Sequence, residues 1–262
     1  MEIRRLNAVT PGQRHQVVFS NYILGKNSLI VKNLVKDFRR KKGRCLSSGL
    51  ITMRHRGGGC KNLYRMINFG NFWGKFIVVS NFYDPFRTSF VSLIFDLVNK
   101  KFDFILMAEF LYTGAFILHS FEKSVADLKL GYRTWLRNIP VGSFVNNLST
   151  KPAARAKYVR SAGSRGQIIQ KSFSGLKVRF SSGVVMTLSN SAIGTIGNNS
   201  NIQNKHTSLG KAGRLRLMGK RPSVRGIAMN PVDHPHGGKG NGGRALTPWA
   251  KNTKGGSTSR KV

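Results

Sequence analysis

Asp233, His234 and His236 are the residues of this chain whose types and spacing could support acid–base chemistry. They stand inside residues 229–243, a run with two prolines, and with five glycines after His236. A carboxylate that orients an imidazole is half of a proton-transfer device, and His234 is the catalytic candidate. Against it, Asp233 and His234 are adjacent, so in an extended loop their side chains diverge, and no nucleophile or second base accompanies them. The other reading is recognition. Glycines allow close backbone approach, and Arg221, Arg225, Lys239 and Arg244 place the loop among cations, so amides and guanidinium groups can meet phosphate oxygens together.

A second cationic glycine loop runs through Arg54, His55, Arg56, Gly57, Gly58, Gly59, Cys60 and Lys61, with Arg65 shortly after. Its β-branched and aromatic flanks, Ile51 to Met53 and Leu63 to Phe69, predict two strands joined by a phosphate-cradling turn. Cys45, His55 and Cys60 lack the paired spacing of a structural zinc site, so no metal or other cofactor is expected, and the two cysteines fit a reducing compartment.

The elements that must hold these loops are legible from charge and pattern. The chain has 262 residues, 44 Lys and Arg against 9 Asp and Glu, and a net charge of +35. Residues 1–69 carry 15 bases and 2 acids, residues 70–127 carry 5 and 6, and residues 128–262 carry 24 and 1. A neutral, apolar middle between cationic arms is the pattern of a protein that packs partly on itself and partly along nucleic acid. Acids and lysines interrupt residues 90–121, so no membrane span is expected, and no cationic amphipathic helix suggests a membrane surface.

Short strands are predicted at residues 76–79, 90–98 and 102–108, with a turn at Asn99 to Lys101 and a connection at Asp84 and Pro85, giving a small closed β-barrel. The phenylalanines there read as core, because the accompanying charge of a base-stacking platform is missing. Residues 167–170, 176–180, 184–188 and 193–196 predict a second barrel, independent of the first. Residues 151–165 carry five bases and no acid, and face the polyanion. The expected organisation is a basic arm at 1–45 with the cation run 39–42, barrels at 46–125 and 126–200, and a basic glycine- and proline-rich extension at 201–262 that orders on its partner.

Several ordered segments carry a resemblance. Met229-Asn230-Pro231-Val232-Asp233-His234-Pro235-His236-Gly237-Gly238 and Thr247-Pro248-Trp249 resemble the universal large-subunit ribosomal protein L2 family, bacterial and organellar type. So do Thr10-Pro11-Gly12, the loop at 54–61 with Tyr64-Arg65, Tyr83-Asp84-Pro85, Arg137-Asn138-Ile139-Pro140-Val141-Gly142-Ser143, Arg160-Ser161-Ala162-Gly163 and Pro222-Ser223-Val224-Arg225-Gly226. The resemblance covers essentially the whole chain. It implies a mainly β fold, an oligonucleotide-binding-type barrel followed by a Src-homology-3-like barrel, with long basic N- and C-terminal extensions threading large-subunit ribosomal RNA. It also implies a place near the peptidyl transferase centre, neighbouring ribosomal proteins, and small-subunit RNA at the subunit interface.

Three departures from the family stand out. Cys60 replaces a usual histidine, which weakens any metal or acid–base role for that loop. Ala153 to Lys157 replaces a glycine-rich segment and adds cations, and the middle of the chain is rich in phenylalanine.

The expected function is therefore structural: a non-enzymatic constituent of the large subunit that organises ribosomal RNA. The RNA-binding residues are Arg54, His55, Arg56, Gly57, Gly58, Gly59, Lys61, Arg65, Arg160, Lys211, Arg214, Arg221, Arg225, His234, His236, Gly237, Gly238, Lys239 and Arg244. Direct acid–base participation of Asp233 and His234 in peptide-bond formation is the alternative. A DNA-compacting role is disfavoured by the absence of a groove-reading helix. The family-like sequence begins by Thr10, leaving too few residues for a removable import segment. With the many phenylalanines and asparagines of an AT-biased genome, this points to a chain made inside a mitochondrion, with a chloroplast or bacterial cytoplasm as the other settings.

Overall fold

The computed structural model describes residues 3–19, 25, 29–38, 43–70, 72–120, 128–151, 154–240 and 243–253. The expected boundary at 125, the cation run 39–42 and Ala153 lie outside the described residues. The chain divides into two compact units, one of Met1–Arg39 with Lys61–Lys211, the other of Arg40–Cys60 with Ala212–Val262.

The larger unit is mainly β. Near its start β1 (Ile3–Arg5) and β2 (Val17–Phe19) form a short antiparallel pair, and β3 (Val35–Phe38) pairs with β4 (Asn62–Arg65). The N-terminal arm thus carries short local strand pairs. The partner of β4 corrects the sequence reading: Ile51 to Met53 form no strand, and Ile51 makes only an isolated bridge to Arg44.

The oligonucleotide-binding-type barrel is built from β5 (Gly74–Phe82), β6 (Val91–Asp96), β7 (Phe102–Leu106) and β8 (Phe116–His119), which pair in the order β8-β5-β6-β7. Period-2 alternation sends Phe76 and Val78 of β5 and Ile117 of β8 inward onto Phe90, Ile94 and Ile105. A bulge between Val78 and Ser80 re-aims the strand, so that Asn81 and Phe82 are buried as well. Phe82, Val91, Leu93 and Phe104 form a further cluster against Val35 and Ile67. Phe76, Phe82, Phe90 and Phe104 are buried in the core, as their neutral surroundings predicted, whereas Phe110 and Phe116 are exposed.

The Src-homology-3-like barrel follows, from β9 (Arg133–Trp135), β10 (Phe144–Asn146), β11 (Gly166–Ser172), β12 (Gly175–Phe180), β13 (Val185–Leu188) and β14 (Ile193–Ile196). Leu136, Ile139, Val145, Leu148, Ile168, Leu176 and Val178 fill it, and each such side chain stabilises the fold by about 1.5–3 kcal/mol.

The two barrels are not independent. One ten-stranded sheet runs through both, in the order β13-β12-β11-β10-β14-β9-β8-β5-β6-β7. The join is parallel, with His119 of β8 opposite Arg133 of β9 and the Ser120 amide donating to the Arg133 carbonyl at 3.1 Å. Both side chains at the join are buried.

Among the described residues the smaller unit holds turns, isolated bridges, one short α-helix, α1 (Ala212–Leu217), and a single 3-10 turn at Gly226–Ala228. Glycine and proline leave it no periodic apolar face, so its order comes from hydrogen bonds, some within turns and some between segments distant in sequence. No helix among the described residues is long and apolar enough to cross a membrane.

Candidate nucleic-acid interface

The smaller unit brings both cationic glycine loops into one body. Residues 54–60 are laced to residues 217–221 in an irregular ladder. Gly57 donates to the Gly219 carbonyl at 3.1 Å, Cys60 to Leu217 at 3.0 Å, and Arg221 to His55 at 3.1 Å, while Arg56 bridges Lys220. The glycines are demanded by this lacing. Gly59 has φ +99°, and a Cβ there would lie 2.8 Å from the Gly219 amide nitrogen and 2.9 Å from the Leu217 carbonyl oxygen. Gly57 therefore commits its amide internally, and its carbonyl accepts from the Arg216 guanidinium. The Gly58 and Gly59 amides make no hydrogen bond among the described residues and remain for an outside acceptor.

The loop at 229–240 folds on itself as a set of nested turns. Asp233 and His234 both donate their amides to the Asn230 carbonyl, at 3.0 and 3.2 Å, and Gly237 and Gly238 donate to His234 and Met229 at 2.8 and 3.1 Å. Gly237 sits directly on the Asn230 carbonyl, where no side chain fits. His234 is 8% exposed and packs flat against Gly226. Its Nδ1 accepts the His236 amide at 3.0 Å, so a neutral ring carries its proton on Nε2.

His236 in turn reaches the Arg244 carbonyl at 2.7 Å and the Leu246 amide at 3.2 Å through the same Nε2. One nitrogen serves one of these at a time, as donor or as acceptor. Asp233 is exposed, and among the described residues its carboxylate meets neither His234 nor a cation. Asp233 and His234 are not paired in this geometry, and both histidines are held by hydrogen bonds to backbone groups.

Arg54, Arg56, Arg221, Arg225, Lys239 and Arg244 are exposed on this unit, with Gly238 beside them. Arg214 lies half-buried on α1. The larger unit holds the rest. Lys61 and Lys211 are exposed there, and Arg160, also exposed, stacks on Phe69 at 5.0 Å. Arg65 departs from the expectation, being 8% exposed; burial lowers its pKa while Asp84 pulls the other way.

Trp249, which enters the sequence reading only through the family resemblance, and Arg44 are not among the expected RNA-binding residues. Trp249 lies under the Arg54 guanidinium at 4.8 Å. Its signal was available: no other Phe, Tyr or Trp follows Phe180, and a solitary tryptophan in a stretch without a core has only surface work to do.

Two cysteines are free thiols. Hydrogen bonds from Ser47, then Ser48, draw Cys45 down to about 6. Among the described residues no group of three or more His, Cys, Asp or Glu is gathered as for a metal.

Two family models match this chain. Residues 31–119 match the RNA binding N-terminal domain of ribosomal proteins L2, and residues 129–256 match their C-terminal domain. The chain belongs to the ribosomal protein L2 family. Among L2 relatives it is 41% identical to the large ribosomal subunit protein uL2m of Reclinomonas americana, covering 100% of this chain and 95% of that protein. It is 40% identical to uL2 of Orientia tsutsugamushi (99% and 95%) and 38% identical to uL2 of Hyphomonas neptunium (98% and 94%). In L2 terms, the N-terminal match takes in the loop at 54–61 and the first barrel, and the C-terminal match takes in the second barrel and the loop at 229–240.

Proposed function

We propose that this chain is a structural constituent of the large ribosomal subunit that binds and organises large-subunit ribosomal RNA. The supporting observation is the charge of the smaller unit: six bases in residues 40–60 and eleven in residues 212–262 stand against the single acid Asp233. Self-repulsion of that density is relieved by a polyanion. Arg54, Arg56, Arg221, Arg225, Lys239 and Arg244 pair with phosphates, with Lys61, Arg160 and Lys211 contributing from the larger unit. Backbone amides at Gly58 and Gly59 approach RNA at close range, and interactions of this kind fix position and read shape.

The same reading places the chain near the peptidyl transferase centre, with ribosomal proteins beside it and small-subunit RNA at the subunit interface. On this reading the chain has no catalytic step of its own, since Asp233 does not meet the His234 ring to form a proton-transfer pair and the His236 amide holds that ring through Nδ1. The setting is a mitochondrion, in keeping with the likeness to uL2m.

The test is the salt dependence of binding between the full chain and large-subunit ribosomal RNA. The logarithm of affinity should fall linearly with the logarithm of salt. Replacing Arg54 and Arg56 with glutamine should reduce the slope by about 1 for each phosphate deprived of its guanidinium partner. A flat dependence rules the reading out.

A further inference from the structure

The smaller unit contains a hollow of about 570 Å³ whose lining is of two kinds. Part of the lining is cationic: Arg44, Arg56 and Arg221, with Gly57 and Gly58. Another part is apolar and exposed: Ile51, Met53 and Trp249, the last 65% exposed. No acid lines the hollow among the described residues. Phosphate alone would use the first part and leave the second in water. A ligand that joins a flat aromatic ring to a phosphate satisfies both.

Trp249 is held for such a role. It sits at the tip of a small hairpin in which Leu246 bridges Asn252, Thr253 donates to the Ala245 carbonyl at 2.9 Å, and Thr247 donates to Lys251 at 2.8 Å. The Thr247 hydroxyl accepts the Lys251 amide at 3.1 Å, and Ala250 closes the turn at φ +57°, a conformation that L side chains rarely adopt. The turn is fixed so that the indole stands out of the chain. Arg54 stacks on the ring at 4.8 Å, and cation–π stacking of this kind accompanies base stacking in single-strand sites.

We infer that this hollow takes one unstacked nucleotide of the RNA strand, its base on Trp249 and Met53 and its phosphate among Arg44, Arg56 and Arg221. This rests on the RNA-binding reading above and adds to it: here the chain grips a base, where the other residues grip backbone. The hollow has no room for a duplex, so the nucleotide is one that pairing leaves free.

The experiment uses large subunits assembled with the full chain. They are irradiated with ultraviolet light, protein-linked ribosomal RNA is isolated under denaturing conditions, and adducts are mapped by mass spectrometry. The expected result is an adduct on Trp249 or Met53 to one unpaired ribosomal nucleotide. In particles carrying Trp249→Leu that base should become about 5-fold or more reactive to chemical probes, while Trp249→Phe, which keeps an aromatic face, should preserve its protection.

Adducts confined to other segments, such as residues 236–244, would overturn the inference, as would unchanged base reactivity in the Trp249→Leu particles. An adduct to a mononucleotide detached from ribosomal RNA would overturn the choice of the strand as its source. If no residue of the chain cross-links to RNA, the broader reading falls, and this one with it.

Discussion

His119 is a histidine held away from water at the join between the barrels. It lies buried beside Phe72 and Phe76, with ring centroids 4.7 and 5.0 Å away, and neither ring nitrogen makes a well-formed hydrogen bond among the described residues. Burial, then the charge of Arg133, lowers its pKa from 6.5 to about 3, with the Phe72 backbone opposing weakly. The unfolded chain therefore takes up a proton near pH 6.5 that the folded chain refuses until about pH 3. Stability from this group is fully present above pH 6.5 and is lost as the pH falls through that window. His119→Phe keeps the aromatic packing and removes the titration. In urea unfolding at pH 7 and pH 4.5, the variant should lose less stability than the parent on acidification, and equal losses would show that His119 does not titrate in this way. Arg133, its neighbour across the join, is drawn down to about 10 by burial and stays charged at neutral pH; its guanidinium reaches the Asn147 carbonyl and the Thr195 hydroxyl at 3.5 Å.

At the scale of elements, the strands are legible where alternation is strong. Residues 76–79, 102–108 and 193–196 overlap β5, β7 and β14, and Lys100 at φ +52° sits in the expected turn. What escapes is short and set by tertiary pairing. Strands β8, β9 and β10 have three or four residues each, and they exist because neighbouring strands offer them a ladder. The site is legible by composition and less so by geometry. Glycines 57 to 59 read as a phosphate cradle, and the lacing to residues 217–221 gives two of them a structural reason first. A residue pattern cannot reveal that, because the partner segment lies more than 150 positions away. Gly59→Ala should therefore disturb the ladder, through both φ and overlap, at a cost of about 1–3 kcal/mol. Amide hydrogen exchange at Gly57, Cys60 and Arg221 should accelerate by roughly 10- to 100-fold. Unchanged exchange at these three amides would contradict the lacing.

At the scale of the whole molecule, charge is the dominant fact. A net +35 on 262 residues opposes compaction, and an anion that binds the folded chain adds stability by mass action. At matched ionic strength, inorganic polyphosphate should raise the melting temperature of the isolated protein and monovalent chloride should not. An equal response to both would mean that screening alone accounts for the effect. The distribution of charge also explains why fold and function can be read from different parts of the same sequence. The barrels are written in alternation over the less charged stretches, and the RNA-facing loops in cations and glycines where alternation stops.

The parallel join at His119 and Arg133 has a consequence for how such a chain can be divided. Separating the barrels in the connection after Ser120 would strip β8 and β9 of each other and leave each fragment with an unprotected strand edge, a template for the next copy. The shared sheet makes the two barrels one heritable piece: a gene split there would have to supply a cover for both raw edges before either half could be kept in solution.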